Sequence, residues 1–134
     1  MLKALIGILI LAAPAVQADG YGFRTPSANI YCNGSLDGGE ISCTIVARSS
    51  TPASPRPASC NGNWGHTFNL GRSGPATMVC NNYTLRPSTY SDVAAYGSVG
   101  SFAEITCRSE TTGLTCTNPQ GRGFFLSRRQ QRMF

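Results

Sequence analysis

NIYCNGSLDGGEISCTI, residues 29 to 45, decides the fold, and its pattern returns at residues 104 to 118 as EITCRSETTGLTCTN. Each stretch carries two short apolar-x-Cys units around a turn-rich middle. Ile30-x-Cys32 and Ile41-x-Cys43 alternate with the period of two that half-buried strands show. With Cys32 set opposite Cys43, Ile30 faces Ile45, and Leu36-Asp37-Gly38-Gly39 becomes a four-residue loop, an ordinary hairpin length. In the second stretch, Cys107 opposite Cys116 leaves Thr111 and Thr112 at the tip, beside Gly113. Opposed strand positions hold their Cβ atoms about 4.5–5.5 Å apart and a disulfide needs about 3.5–4.5 Å, so the closer pairs accept one with little strain. The registers therefore predict the bridges Cys32–Cys43 and Cys107–Cys116, and Cys60–Cys80 follows by elimination.

That framework implies an oxidising compartment, and the start of the chain agrees. MLKALIGILILAAPAVQA, residues 1 to 18, combines Lys3, an apolar run from Ala4 to Ala13, and small residues at Val16 and Ala18, the positions a signal peptidase reads. The run is shorter than the roughly 20 residues that span a bilayer as a helix, so no membrane span is expected once cleavage after Ala18 removes it. No cysteine stands at the cleavage point, which argues against a lipoprotein. The expected organisation is a signal peptide over 1–18 and a single Cys-rich β domain over 19–134, periplasmic or secreted. All six cysteines lie in that domain, an even number with no CxxC, as in disulfide-bonded exported domains. One histidine cannot complete a zinc site of ordinary spacing, so neither a metal nor a cofactor is expected.

The rest of the chain reads as strands and turns. YGFRT, ATMVCN, SDVAAYGS and RGFFLS are short β candidates, and CNGNWGHTFNLG (60–71) reads as another. SSTPASPRPAS (49–59) carries three prolines, which forbid a central strand and suit an extended strap across the surface. The helical signal is Ser127-Arg128-Arg129-Gln130, which matches a capping box. The expected fold is mostly β: a small disulfide-stapled sandwich or barrel-like antiparallel sheet with a short C-terminal helical turn.

Charge is unevenly placed. The chain carries a formal net charge of +5, and from Asp19 to Glu110 arginines and acids balance. The excess comes after Glu110, in Arg122, Arg128, Arg129 and Arg132, whose guanidinium groups suit bidentate contact with carboxylate or phosphate. If the last turn is helical, Arg128 and Arg132 share a face, with Phe124, Phe125 and Phe134 anchoring the segment.

Little looks catalytic. Trp64 and His66 mark a candidate pocket; on a regular strand they would share a face with Phe68 and Leu70. A histidine between aromatics reads first as a buried neutral ring, and no carboxylate stands near it in sequence to orient a base. There is no GxSxG elbow, HExxH, phosphate loop or dinucleotide glycine motif. The sequons Asn33-Gly-Ser35 and Asn82-Tyr-Thr84 carry no assigned function.

FRTPSANIYC (23–32), NWGHTF (63–68), AYG (95–97), GLTCTNPQGRGFFLSR (113–128) and RMF (132–134) resemble a family of small exported bacterial proteins known as domain of unknown function 6636. The resemblance spans nearly the whole chain after the signal peptide, in order. It implies a bacterial export-pathway protein with paired cysteines and brings no activity, ligand or catalytic residue. Ala28 and Arg122 stand where the family pattern has glycine and histidine. The alanine implies a turn before Asn29 that needs no positive φ.

The expected role is a non-catalytic cell-envelope binding or structural module. Its arginine-rich end would meet an anionic envelope component or an acidic protein, and nothing points to nucleic acid. The alternatives are an inhibitor of a secreted hydrolase, probing with the hairpin tips at 36–39 and 110–113, and a small secreted ribonuclease using His66 and one of Glu40, Glu104 and Glu110.

Overall fold

The period-two segments form strands, and each half of the chain makes its own sheet. The computed structural model describes residues 21–35 and 38–134; the expected signal peptide and the tip residues Leu36 and Asp37 lie outside the described residues. The first five strands are β1 (Tyr21–Arg24), β2 (Ile30–Ser35), β3 (Glu40–Ile45), β4 (Asn63–Gly71) and β5 (Thr77–Asn81). They pair antiparallel in sequence order as one five-stranded meander. The second meander comprises β6 (Val99–Phe102), β7 (Ile105–Glu110), β8 (Gly113–Thr117), β9 (Gly123–Leu126) and β10 (Gln131–Met133).

Register follows from the apolar alternation, because slipping one residue would turn every core side chain to water. Cys32 lies opposite Cys43 and Ile30 opposite Ile45, so the first hairpin has the expected register, with Ser35 facing Glu40 across the loop. In the second hairpin Cys107 faces Cys116, and Glu110 faces Gly113 across the Thr111-Thr112 tip. The structure bridges Cys32 to Cys43 with a Cα separation of 4.0 Å, and Cys107 to Cys116 with 4.1 Å. Separations this short belong to non-hydrogen-bonded pairs. Cys60 is bridged to Cys80, tying the end of the proline strap to β5.

The two sheets share one core. Along β7, Ile105, Cys107 and Ser109 are buried while Thr106, Arg108 and Glu110 are exposed, a strict alternation. Phe23, Ile41, Cys43, Phe68 and Leu70 of the first sheet pack in one cluster with Phe102, Ile105, Leu114, Phe124 and Leu126 of the second. Both hairpin bridges point inward, and the sulfurs of Cys32, Cys43 and Cys116 lie within 4.8 Å of one another. Since all three are oxidised, that group is two disulfides side by side and no metal site. The result is a two-sheet sandwich stapled at its centre.

Two connections seal the sandwich. The proline strap runs past β4 and β10 outside the named strands, bending at Ser50, Ala53 and Ser54, and the buried Gln131 side chain holds it there. Its amide nitrogen donates to Ser50 Oγ (3.2 Å) and the Gly65 carbonyl (3.0 Å), while its oxygen accepts from the Ala53 N–H (2.8 Å). On the opposite edge, residues 92–94 lie along β1. Arg24 N–H donates to the Asp92 carbonyl, and Ala94 N–H to the Arg24 carbonyl, at 2.9 and 2.8 Å.

Three local expectations are corrected. No helix occurs among the described residues; Ser127 to Gln130 is the β9–β10 hairpin loop. The Gln130 N–H does donate to Ser127 Oγ, 3.1 Å, as in a helix cap, but the Ser127 N–H closes onto the Gln130 carbonyl and the chain returns as β10. SDVAAYGS contributes a single bridge, Val93 to Arg24, and the strand that follows is the glycine-containing VGSF of β6. Ala28 adopts φ of 65°, so the turn before Asn29 does use the left-handed region despite its alanine. It is held there by the Ala28 N–H bond to the Thr25 carbonyl and by Ser27 Oγ accepting from the Asn29 N–H.

Candidate functional site

Trp64 and His66 occupy the irregular start of β4, where the pairing with β5 slips between Asn63 and Thr67. Gly65, between them, has φ of 82°, a conformation suited to glycine. The slip breaks the expected face. Phe68 and Leu70 enter the core, but Trp64 is buried outside that cluster, its indole N–H donating to the Ser54 carbonyl of the strap at 2.9 Å. His66 is half-buried, with Nδ1 2.7 Å from the Ile45 carbonyl. Since a carbonyl only accepts, Nδ1 carries the proton in that bond. Burial holds the imidazole below its usual pKa; the Ile45 carbonyl opposes that shift and the Arg48 charge adds to it. The charge that His66 senses is the Arg48 guanidinium, and no carboxylate is bonded to its ring among the described residues.

The four C-terminal arginines occupy three places along the second sheet. Arg122 sits in the turn entering β9, its backbone N–H held by Asn118 Oδ1 and its Nε donating to the Phe134 carbonyl at 3.4 Å. Arg132, on β10 opposite Phe125, places its guanidinium carbon 5.0 Å from the Phe125 ring centre and 5.9 Å from that of Phe134. Its charge is thus already engaged by two aromatic faces. Phe124 belongs to the core and anchors no helix. Arg128 and Arg129 remain, both exposed at the β9–β10 tip, and neither side chain is bonded to a described acceptor.

That tip is held by its backbone, which leaves the side chains to point outward. The Arg128 carbonyl accepts from the N–H groups of Ser49 and Ser50, at 2.7 and 3.0 Å, and from Ser49 Oγ at 3.2 Å. Beside it opens a groove of about 660 Å³. Arg128, Arg129 and Gln130 border it on one side; Glu110, Thr112 and Gly113 of the second hairpin tip border it too, with Tyr96 and the Thr25–Asn29 turn. Phe125 lines the groove and reaches over Gly113, where a Cβ would meet its ring at 2.6 Å. The site therefore offers two free guanidinium groups, one carboxylate and two aromatic rings.

Sequence reading singled out the arginines and the Glu110 tip separately. It did not bring them together, and it passed over Tyr96 and Phe125 as groove residues. Their shared position is tertiary: the β1–β2, β7–β8 and β9–β10 turns all open at one end of the sandwich. Trp64 and His66 line neither this groove nor the smaller cleft between the sheets.

Residues 4–134 match a family described as a family of unknown function (DUF6636). No curated protein and no solved structure matches the chain. Three disulfides among the described residues, and no described helix long and apolar enough to cross a membrane, are compatible with a secreted protein.

Proposed function

The chain belongs to that family of unknown function, DUF6636, and on this premise we propose that it is an exported, non-catalytic binding module of the bacterial cell envelope. In this reading residues 1–18 are removed by signal peptidase, and residues 19–134 fold as one domain in the periplasm or medium. The docking element is the β9–β10 tip, and the partner presents carboxylate or phosphate groups to it.

The observation that carries this reading is the contrast among the arginines. Arg122 is bonded to the chain end and Arg132 lies against aromatic rings, whereas Arg128 and Arg129 stand exposed on a braced turn beside a groove. The turn that carries them is already ordered, and the planar guanidinium fork matches an oxyanion with two hydrogen bonds at once. A ribonuclease role has no support at His66, which faces the Ile45 carbonyl and a guanidinium.

The test is retention of the oxidised protein on polyphosphate and polyglutamate matrices at low salt, and capture of partners from an envelope extract. Charge-assisted hydrogen bonds contribute about 1.5–3 kcal/mol each, so Arg128→Ala with Arg129→Ala should weaken binding by at least about tenfold. Arg122→Ala should change it little. Equal retention of the double variant and the parent would remove the proposal.

A further inference from the structure

Sandwich interiors are packed as densely as organic crystals, so an inward position with no side chain calls for a reason. Gly100 stands at such a position where β6 is open to solvent, its residue exposed and Phe102 alone of the strand buried. It lies on β6 opposite Cys107, a core residue, so its missing side chain would point between the sheets. A Cβ built there meets nothing within 4 Å. The glycines at 34, 113 and 123 differ, since a Cβ on each would run into neighbouring atoms at 2.6 Å or less. Gly100 is also absent from the residues with positive φ, so no turn geometry requires it. What the glycine does is leave space open.

That space is a cleft of about 270 Å³. Phe23, Phe102 and Leu114 line it from the core, and Val93 and Val99, 44% and 49% exposed, line it from the surface side. Its wall is braced from both sheets. Ser109, buried at the far side, donates through Oγ to the Ala94 carbonyl at 2.8 Å and accepts at its carbonyl from the Gly97 N–H at 2.7 Å. On the other side the same segment is bonded to Arg24 of β1. A pre-formed apolar cavity with a few polar groups is the usual form of a small-molecule site. Asp92 is the charged residue of this lining, and no described cation pairs with it.

We propose that this cleft binds a small apolar molecule with a cationic end, its hydrocarbon part beside Gly100 between the sheets and its ammonium group at Asp92. The size follows from scaling: a cavity of about 150 Å³ accepts benzene, so 270 Å³ suits roughly ten non-hydrogen atoms. The sign of the charge follows from Asp92, which repels a carboxylate and attracts an amine. This site is separate from the Arg128–Arg129 tip, and either proposal can fail alone.

The experiment titrates the oxidised protein with n-octylamine, n-octanoate and n-butylamine by isothermal calorimetry and by amide and methyl chemical shifts. Octylamine is expected to bind at roughly millimolar or better, shifting Phe102, Leu114 and Val99, with octanoate and butylamine each weaker by about tenfold. Gly100→Leu fills the cleft. It should retain the parent's thermal midpoint or exceed it while losing octylamine binding by tenfold or more. Should leucine disturb folding, Gly100→Ala, whose methyl enters open space, should still weaken binding severalfold. Asp92→Asn should bring octylamine and octanoate to within about threefold of each other. Absent shifts at 10-fold excess over millimolar, or binding that survives both Gly100 variants, would overturn the site. Octanoate binding as tightly as octylamine would overturn its charge preference.

Discussion

Phe68 of β4 and Phe124 of β9 meet across the two sheets, their ring centres 5.7 Å apart and their planes tilted by 41°. Each also stands directly opposite an inward disulfide cysteine, Phe68 beside Cys43 and Phe124 beside Cys116. Rings and bridges together form the contact that joins the halves of the chain. Phe68→Ala and Phe124→Ala should each lower stability by about 3–5 kcal/mol. The double variant should show a coupling of about 0.5–1.5 kcal/mol in chemical denaturation. Additive losses would mean that the sheets meet elsewhere.

Gln131 spends its whole amide on the proline strap and on β4. Gln131→Ala leaves the Ala53 N–H and the Gly65 carbonyl without a protein partner, and buried groups left unpaired cost about 1–3 kcal/mol. Hydrogen exchange at the Ala53 amide should speed up in this variant. Exchange at Cys43, in the centre of the first sheet, should slow or quicken only with global stability. An unchanged Ala53 rate would show that the strap is held by other means.

Ala28 at φ of 65° is a strained residue in a turn that glycine would enter freely. Ala28→Gly should stabilise the protein by about 0.5–1 kcal/mol, the relief of left-handed strain less the greater freedom glycine has when unfolded. A rise in the denaturation midpoint is the check, and a fall would place this turn outside the left-handed region.

His66 makes stability depend on pH with a definite sign. Its pKa is lowered by burial in the folded protein, so between the folded value and about 6.5 the unfolded chain binds more protons. The stability it contributes is therefore complete above about 6.5 and is lost as the pH falls through the folded value. His66→Gln should flatten that part of the stability curve. Its slope below pH 6.5 should survive if other groups cause it.

Much of this architecture is legible in the chain. Ile30, Cys32, Ile41 and Cys43 announce a hairpin because alternation and sulfur spacing agree on one register. The C-terminal turn carries a helix signal without a helix, because Ser127 makes the same bond to the Gln130 N–H whether the chain continues as a helix or folds back. What decides is Gln131, whose partners, Ser50, Ala53 and Gly65, are distant in sequence. The Trp64–His66 face failed for a local reason: Gly65 and the slipped pairing rotate the strand between them. The arginine site was legible as residues and not as a place, because Arg122 and Arg128 enter and leave the same strand at opposite ends. Nothing in residue type marks Gly100 as an open position; only its pairing with Cys107 does.

A frame of three internal bridges underlies every site described. The decisive measurement is thiol titration in denaturant, followed by peptide mapping without reduction, on native protein that has never met a reductant. No free sulfhydryl should appear, and the fragments should be joined only as Cys32 with Cys43, Cys60 with Cys80 and Cys107 with Cys116. Several free thiols, or a peptide joining Cys43 to Cys60, would contradict the sandwich and everything placed upon it.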